Sequence, residues 1–567
     1  MKRRATVARF AAALIGVSLI AAACGDDSSS DSKSTATTAK AVDPADTPKD
    51  SSLVIGAEQE PDCADWIASC AGSSWGAWMF QYQTMPRAFD VVVDSAGKHT
   101  YKASPLLASE PTLVTSPKQV ITYKINPKAV WDDGSAITSA DFKYTALQIR
   151  DGKDIYDKTG YDLIEAVDTP DATTAVVTFK SPYAGWKALF TSLGGVLPSK
   201  LLEGKDRSAL MKDGYTFSAG PFKMSKWDRG NELVLVRNDN YFGTKAFAKQ
   251  VTFKFITDTA AEFQAFKTGQ VDAIYPQPQI DVIDQIKAGL TDASSVVSTV
   301  TGNLEALWIN NSKAPFDSKA VRQAIGYSLD RDAIVNRLFG GIGVTKAINT
   351  GMEPGLVNAY TDTEAFAAYK LDLKKVDSLM TGDGWAKGSD GIWAKGGTKA
   401  TFTAQTTAGN KRRELTFQVV QQQLKTAGFD MQIKTEKAGD LFGKILPPGD
   451  FQMALYAQVL TSLEPGGCTL FCKKNIPVAP DFSGQNWTRT ELGTVDADAV
   501  KLDTELDDAK RQAAGKAVAK ALADTATSIP LDPLPTMLLT SNKLVGNFSD
   551  NGVLSGFWNI ASWGKKA

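Results

Sequence analysis

A single histidine, His99, stands in the whole chain of 567 residues, and that scarcity excludes much chemistry. Ser-His-Asp and Cys-His mechanisms need an imidazole between a nucleophile and an acid, so His99 alone could serve. It sits in the stretch DSAGKHTY, which reads as a hairpin turn on the surface. One Gly-x-Ser-x-Gly match, Gly72 to Gly76, follows a cysteine-bearing loop rather than a buried strand, and His99 comes too soon after it for a nucleophile elbow. A His-Glu-x-x-His metal helix needs two histidines. Walker A and Gly-x-Gly-x-x-Gly fingerprints are absent, which removes support for nucleotide use. No excess of charge exists, with 62 basic against 63 acidic residues, so total charge carries no sign of nucleic-acid binding. Beyond the N-terminus no apolar run approaches the roughly 18 residues of a membrane-spanning helix. No enzyme, cofactor or metal site is expected.

The N-terminus has a different character. Lys2, Arg3, Arg4 and Arg9 precede Phe10–Ala23, an apolar run of fourteen residues interrupted by Gly16 and Ser18. At about 1.5 Å per residue this run falls short of the roughly 30 Å bilayer core. A basic start, a short apolar run and small residues at its end mark a secretory signal peptide over 1–23. Ala21-Ala22-Ala23-Cys24 resembles the lipobox of bacterial lipoproteins, with Ala21 where leucine is commonest. The resemblance implies cleavage before Cys24 and a diacylglyceryl group on its thiol, with palmitate among the acyl chains. Residues 24–50 are rich in Ser, Thr, Asp and Ala and have no aromatic side chain. Such a segment cannot offset its ordering entropy by burial and reads as a polar tether. Four further cysteines remain: Cys63, Cys70, Cys468 and Cys472. An even number in an exported chain reads as disulfides. Proximity favours Cys63–Cys70 and Cys468–Cys472, with the two crossed pairings left open.

About 540 residues follow the signal peptide, more than one core usually holds, so two or three domains are expected. Leu53–Ala57 reads as a buried strand. The loop after it carries Glu58, Glu60, Asp62 and Trp66, and the run from Trp75 through Trp78, Phe80 and Tyr82 is either core or a binding wall. Ile121, Tyr123 and Ile125 alternate with Val120, Thr122 and Lys124 as in a half-buried strand. WDDGS (131–135) is a turn, and Ser139 is expected to cap a helix. Residues 501–526 read as one long surface helix. Amphipathic helices alternate with short apolar strands, an α/β arrangement.

Ser104-Pro105-Leu106-Leu107-Ala108, then Ala129-Val130-Trp131-Asp132-Asp133-Gly134, then Thr138-Ser139-Ala140-Asp141 carry a resemblance to the peptide-type extracellular solute-binding proteins, family 5, of bacterial ABC importers. The likeness continues in order through 168–186, Ser218–Gly243, Phe255–Ala273, Trp308–Ile334 and 421–434, and covers roughly 53–563. It implies an α/β two-lobed clamp of the periplasmic-binding-protein kind (cluster C type), with an extra subdomain inserted in lobe I. On this chain lobe I falls at 51–90, 215–305 and 530–567, the inserted subdomain at 91–214 and lobe II at 306–529. The implied function is capture of a solute, foremost a peptide, between the lobes and its delivery to permease subunits driven by a cytoplasmic ATPase. The protein would be a monomer on the outer face of the cell membrane, lipid-anchored, with no chemistry of its own. An oligosaccharide or another polar solute is the alternative ligand; an exported hydrolase and a sensory receptor are more distant alternatives. The family's cleft segments point to Glu60, Asp62, Trp66, Trp75, Trp78, Trp308, Asn310, Gln405, Thr406, Tyr456, Gln458, Thr461, Asn486 and Trp487 as ligand-binding residues. One departure stands out. Thr461 occupies the position where well-known peptide-binding members carry the aspartate that holds the α-ammonium. Either another acid, Asp62 or Glu464, takes the amine, or the ligand has none there.

Overall fold

A computed structural model describes residues 48–566, apart from 72, 95–96, 192–194, 300, 353–355 and 481. The signal peptide, Cys24 and nearly all of the tether lie outside the described residues. Two sheets organise the chain. The first has seven strands in the order Ala293–Ser298, Thr536–Ser541, Ala273–Ile274, Ser52–Ala57, Gln250–Phe255, Glu232–Arg237 and Phe222–Asp228. Ser52–Ala57 pairs in parallel with Gln250–Phe255 on one side and Ala273–Ile274 on the other. Leu53 and Ile55, on one face of this central strand, are fully buried, and Val54 on the other face is half-buried.

The second sheet has five strands in the order Asp430–Glu436, Thr401–Thr407, Met453–Gln458, Leu304–Ile309 and Ser528–Asp532. Two hydrophobic cores support the sheets. Leu307, Phe402, Leu455 and Ile529 lie in the first, which also takes in Ile274, Met537 and Leu539 of the seven-stranded sheet; Ile55, Phe253, Tyr123 and Phe557 lie in the other. Each such side chain contributes about 1.5–3 kcal/mol by leaving water. Within the first half, the smaller sheet Thr112–Val114, Val120–Lys124, Thr174–Phe179 and Ile164–Asp171 forms the inserted subdomain. It packs its buried Ile121, Tyr123 and Val177 toward the helix Ser139–Asp151.

The chain crosses between the large sheets twice, after Ala293–Ser298 and after Ser528–Asp532. Thr301 Oγ1 donates to the Leu534 carbonyl at 3.2 Å, tying one crossing to the other. Leu534 itself takes a φ of 34°, in the left-handed region, a conformation that costs a bulky residue about 1–2 kcal/mol. Its N–H is held by Asp532 Oδ1 at 2.9 Å. The expected lobe boundaries at 305/306 and 529/530 therefore fall inside the strands Leu304–Ile309 and Ser528–Asp532, and the linkers proper lie just beside them.

Two local expectations change. Thr138, not Ser139, caps the helix Ser139–Asp151; the Thr138 N–H donates to Asp141 Oδ2 at 2.8 Å. Ser139 is the first helical residue, and its hydroxyl donates to the Asp171 carbonyl at 2.6 Å. The long helix over 501–526 is two helices, Gly493–Thr504 and Asp508–Thr525. Asp507 breaks them apart because its carboxylate accepts the Lys510 N–H and restarts the chain as an N-cap. His99 opens the second strand of the hairpin Phe89–Val93 and His99–Ala103, with Nδ1 3.2 Å from the Gly97 carbonyl.

Candidate ligand-binding cleft

The lobe I wall begins where strand Ser52–Ala57 ends. Cys63 and Cys70 are bonded, and the buried ion pair of Asp65 with Arg207 pins the loop they close. The chain then turns through Ser74–Gly76, a π-helical Ala77–Gln81 and Tyr82–Thr84. The wide π turn is a rare local form, found often at functional sites. Trp75 and Trp78 meet edge-to-face at 5.5 Å, and Trp78 meets Tyr275 the same way at 5.7 Å.

The opposite wall belongs to lobe II. Strand Met453–Gln458 ends its ladder with the pair Leu304 and Gln458, and Val459, Leu460, Thr461 and Ser462 continue along the cavity. Tyr456 lies at 5.7 Å from Trp487 and from Phe442. Cys468 and Cys472 are bonded, closing the short helix Gly467–Phe471 that carries Thr469. The inserted subdomain closes the side with Tyr156, Asp157, Thr159, Tyr161 and Tyr183. The lobes are shut on one another. The Gly484 N–H donates to the Tyr156 carbonyl at 3.2 Å, the Thr469 hydroxyl to Thr159 Oγ1 at 2.7 Å, and Lys474 pairs with Asp162 at 2.6 Å. On the other flank Asn410 Nδ2 and Arg412 Nη2 both donate to Gln277 Oε1, at 2.6 and 2.7 Å. The cavity between them is partly open to solvent and has a volume of about 210 Å³.

Its electrostatics are lopsided. Glu58, Asp157 and Glu464 line the cavity against a single base, Arg413. Arg413 is already committed: Nε donates to Glu305 Oε1 at 2.8 Å and Nη1 to Thr407 Oγ1 at 3.0 Å. Burial pushes the Glu305 carboxyl up, but Arg412 and Arg413 together outweigh it and hold it at about 2. Glu464 is paired with Arg511 at 2.6 Å. Glu58 and Asp157 have no basic partner within ion-pair distance among the described residues. Glu58 Oε1 accepts the Gln277 N–H at 3.0 Å, and burial pushes its carboxyl up to about 7 against the pull of Arg413 and Arg412. Asp157 accepts the Thr159 N–H at 2.9 Å and, loosely, Thr469 Oγ1 and Gln485 Nε2 at 3.4 Å each; burial raises its carboxyl too.

Buried polar atoms without a hydrogen-bond partner among the described residues gather here. Trp78 Nε1, Trp487 Nε1, Asn303 Oδ1 and Glu58 Oε2 all belong to cavity-lining residues. Leaving such a group unmade costs about 1–3 kcal/mol each; these residues line the cavity while the four atoms themselves are covered.

Of the residues expected to bind ligand, the structure brings Trp66, Trp75, Trp78, Tyr456, Gln458, Thr461 and Trp487 together around the cavity. It places the others behind or beside it. Glu60 accepts from Trp227 Nε1 and the Gly230 N–H, both at 2.9 Å. Asp62 reaches the other lobe where Gly439 leaves room for its carboxylate. Trp308 stacks beneath Tyr456 at 5.3 Å and donates to its carbonyl. Asn310 holds the carbonyls of Gly449 and Phe451 at 3.0 Å. Gln405 lies 3.4 Å from Glu436, and the Thr406 hydroxyl donates to the Leu455 carbonyl at 2.8 Å. Asn486 ties the carbonyls of Phe471, Cys472 and Thr490 and so sets the loop that presents Trp487. Sequence reasoning missed Glu58, Asp157, Tyr275, Gln277 and Arg413 as lining residues. Among the described residues no group of acids, cysteines or histidines could hold a metal ion, and no helix is long and apolar enough to cross a membrane.

Two sheeted lobes shut over an aromatic cavity are the build of a solute-binding protein. Residues 102–469 match the family model of bacterial extracellular solute-binding proteins, family 5, by its middle region, and the chain belongs to that family. It is 26% identical over 484 residues to the oligopeptide-binding protein OppA of Mycobacterium tuberculosis, covering 83% of this chain and 78% of that one. It is 25% identical over 462 residues to the oligopeptide-binding protein AppA of Bacillus subtilis, covering 79% of each. Among solved structures, the periplasmic EDTA-binding protein EppA superposes with a TM-score of 0.79 at 20% identity, over 95% of this chain and 100% of that one. AppA of Bacillus subtilis with a nonapeptide gives 0.79 at 19%, over 92% and 100%. At these identities the structural likeness speaks for the fold.

Proposed function

We propose that the protein captures a peptide in the cleft between its lobes and hands it, unaltered, to the permease subunits of an ABC importer. Lipid on Cys24 would hold it at the outer face of the cell membrane, with residues 24–50 as the leash. The observation that carries the peptide reading is the free end of a lobe II strand beside a cavity walled by Trp66, Trp75, Trp78 and Trp487. Val459–Ser462 run on past the last ladder pair at Gln458, where an extended guest can add main-chain bonds with little regard to its side chains. Aromatic rings supply the apolar remainder. The oligopeptide-binding relatives support the same reading.

Sugars also stack on aromatic rings, so the decisive test compares the two. Thermal unfolding of the purified protein with a mixed peptide library should show a rise in Tm, as binding to the native state alone requires. A rise with oligosaccharides and none with peptides overturns the peptide reading.

A further inference from the structure

Glu58 and Asp157 line one cavity, and neither has a basic partner within ion-pair distance among the described residues. Glu58 is 6% exposed and its Oε2 has no hydrogen-bond partner there. The remaining acid and base of the cavity wall are spent, Glu464 on Arg511 and Arg413 on Glu305. What stands behind Glu58 is another acid. Gly56, two residues earlier, leaves room for the Glu262 side chain, whose Oε1 lies 3.1 Å from where a Cβ would stand. Residues two apart on an extended chain share a face, so a second carboxyl backs the first, and both Glu262 oxygens are unpartnered as well. Burying two acids side by side is costly, and the bases that face Glu58, Arg412 and Arg413, act on it from beyond ion-pair distance while they are bound to Glu305. A cation in the cavity would supply the direct contact that these leave unmade.

We propose that the cavity selects a cationic peptide, one that carries a basic side chain in addition to its α-ammonium, with Glu58 and Asp157 as the two specificity-determining acceptors. The proposal rests on the peptide reading and sharpens it. Asp157 comes from the inserted subdomain, so the charge absent at Thr461 in lobe II is made good from the opposite side of the cleft. Closure sets Thr469 and Gln485 of lobe II against the same carboxylate, which links recognition of the charge to shutting of the clamp. An anionic guest would find no uncommitted cation on the described wall.

Isothermal titration of the full chain, freed of bound solute by refolding, tests this with four probes. Three are pentapeptides with free termini and lysine, norleucine or glutamate at the central position; the fourth is spermidine. The lysine peptide should bind at least 10-fold more tightly than the norleucine peptide, and the glutamate peptide most weakly. In Asp157→Asn and in Glu58→Gln the lysine-to-norleucine ratio should shrink to below 3-fold. The ratio is taken within one sample, so partial unfolding of a variant does not distort it. Equal affinity for the three peptides overturns charge selection and leaves the peptide reading intact. Binding of spermidine alone overturns the peptide reading and leaves charge selection standing. Failure of all four overturns both.

Discussion

Arg412 of lobe II donates a 2.7 Å hydrogen bond to Gln277 Oε1 of lobe I, and Asn410 donates to the same oxygen at 2.6 Å. Asn410 is also the N-cap of helix Lys411–Ala427, accepting the Arg413 N–H at 3.0 Å. One amide of lobe I thus holds the start of a lobe II helix, and the cleft is latched where that helix begins. Gln277→Leu should weaken the latch without touching either sheet. A ligand shifts an open–closed equilibrium only by its preference for one form, so loss of about 1–2 kcal/mol of closing energy should lower ligand affinity by about 5–30-fold. Titration calorimetry measures it; unchanged affinity would mean that these bonds do not hold the closed form.

Glu305 is buried between Arg412 and Arg413, at 3.0 and 2.8 Å. Removing one partner from a buried ion pair leaves an uncompensated charge, at a cost of about 3–5 kcal/mol. Glu305→Gln should lose stability of that order in denaturant titration. Because the Glu305 carboxyl is held at about 2, below its ordinary value, its contribution is fully present above the unfolded-state pKa and fades as pH falls from about 4.5 toward 2.

Glu58 and Asp532 behave in the opposite sense. Burial pushes both up to about 7, the Asp532 carboxyl with help from the Glu305 charge and against Arg412 and Arg413. The folded state therefore binds more protons than the unfolded one between about 4.5 and 7, and stability falls as pH rises through that window. The ligand-free protein should melt about 2 °C or more lower at pH 8 than at pH 5.5. The groups facing Glu58 are Glu262 from helix Thr259–Lys267 and Arg412 and Arg413 from helix Lys411–Ala427. A lysine peptide should bind more tightly at pH 8, where Glu58 is charged, so affinity and ligand-free stability should move in opposite directions. If both rise together, Glu58 is not the acceptor.

Trp78 and Trp487 line the cavity, each with a buried indole N–H that has no partner among the described residues. Trp→Phe at either position removes the donor and leaves an aromatic face. Affinity should fall by about 5–10-fold per substitution, the worth of one hydrogen bond, as titration calorimetry would show. A loss of stability with no loss of affinity would place these rings in the core alone.

Much of the clamp is legible in local sequence chemistry. The strand at Leu53–Ala57, the alternation at Val120–Lys124 and the turn at Asp132-Asp133-Gly134 rest on neighbouring residues alone, and the order of motifs carries the family. The site is legible where a large ring has to be somewhere, as with Trp75, Trp78 and Trp487. It is not legible where a polar residue's role depends on partners remote in sequence. Asn310 and Asn486 look like ligand contacts in the sequence, yet their amides satisfy backbone carbonyls. Asp157 looks like one more polar loop residue in DIYDKTGYD, and only the approach of Thr469, more than 300 residues on, marks it. Glu58 and Glu60 are two acids in one loop that nothing local tells apart. Glu60 is tied to Trp227 and Gly230, while Glu58 lines the cavity and its Oε2 has no partner among the described residues.

Native mass spectrometry of the ligand-free protein mixed with the lysine pentapeptide tests solute capture most directly. The expected spectrum is a one-to-one complex that releases the peptide at its full mass on activation. Bare protein beside free peptide, or a released peptide shortened by hydrolysis, would contradict it.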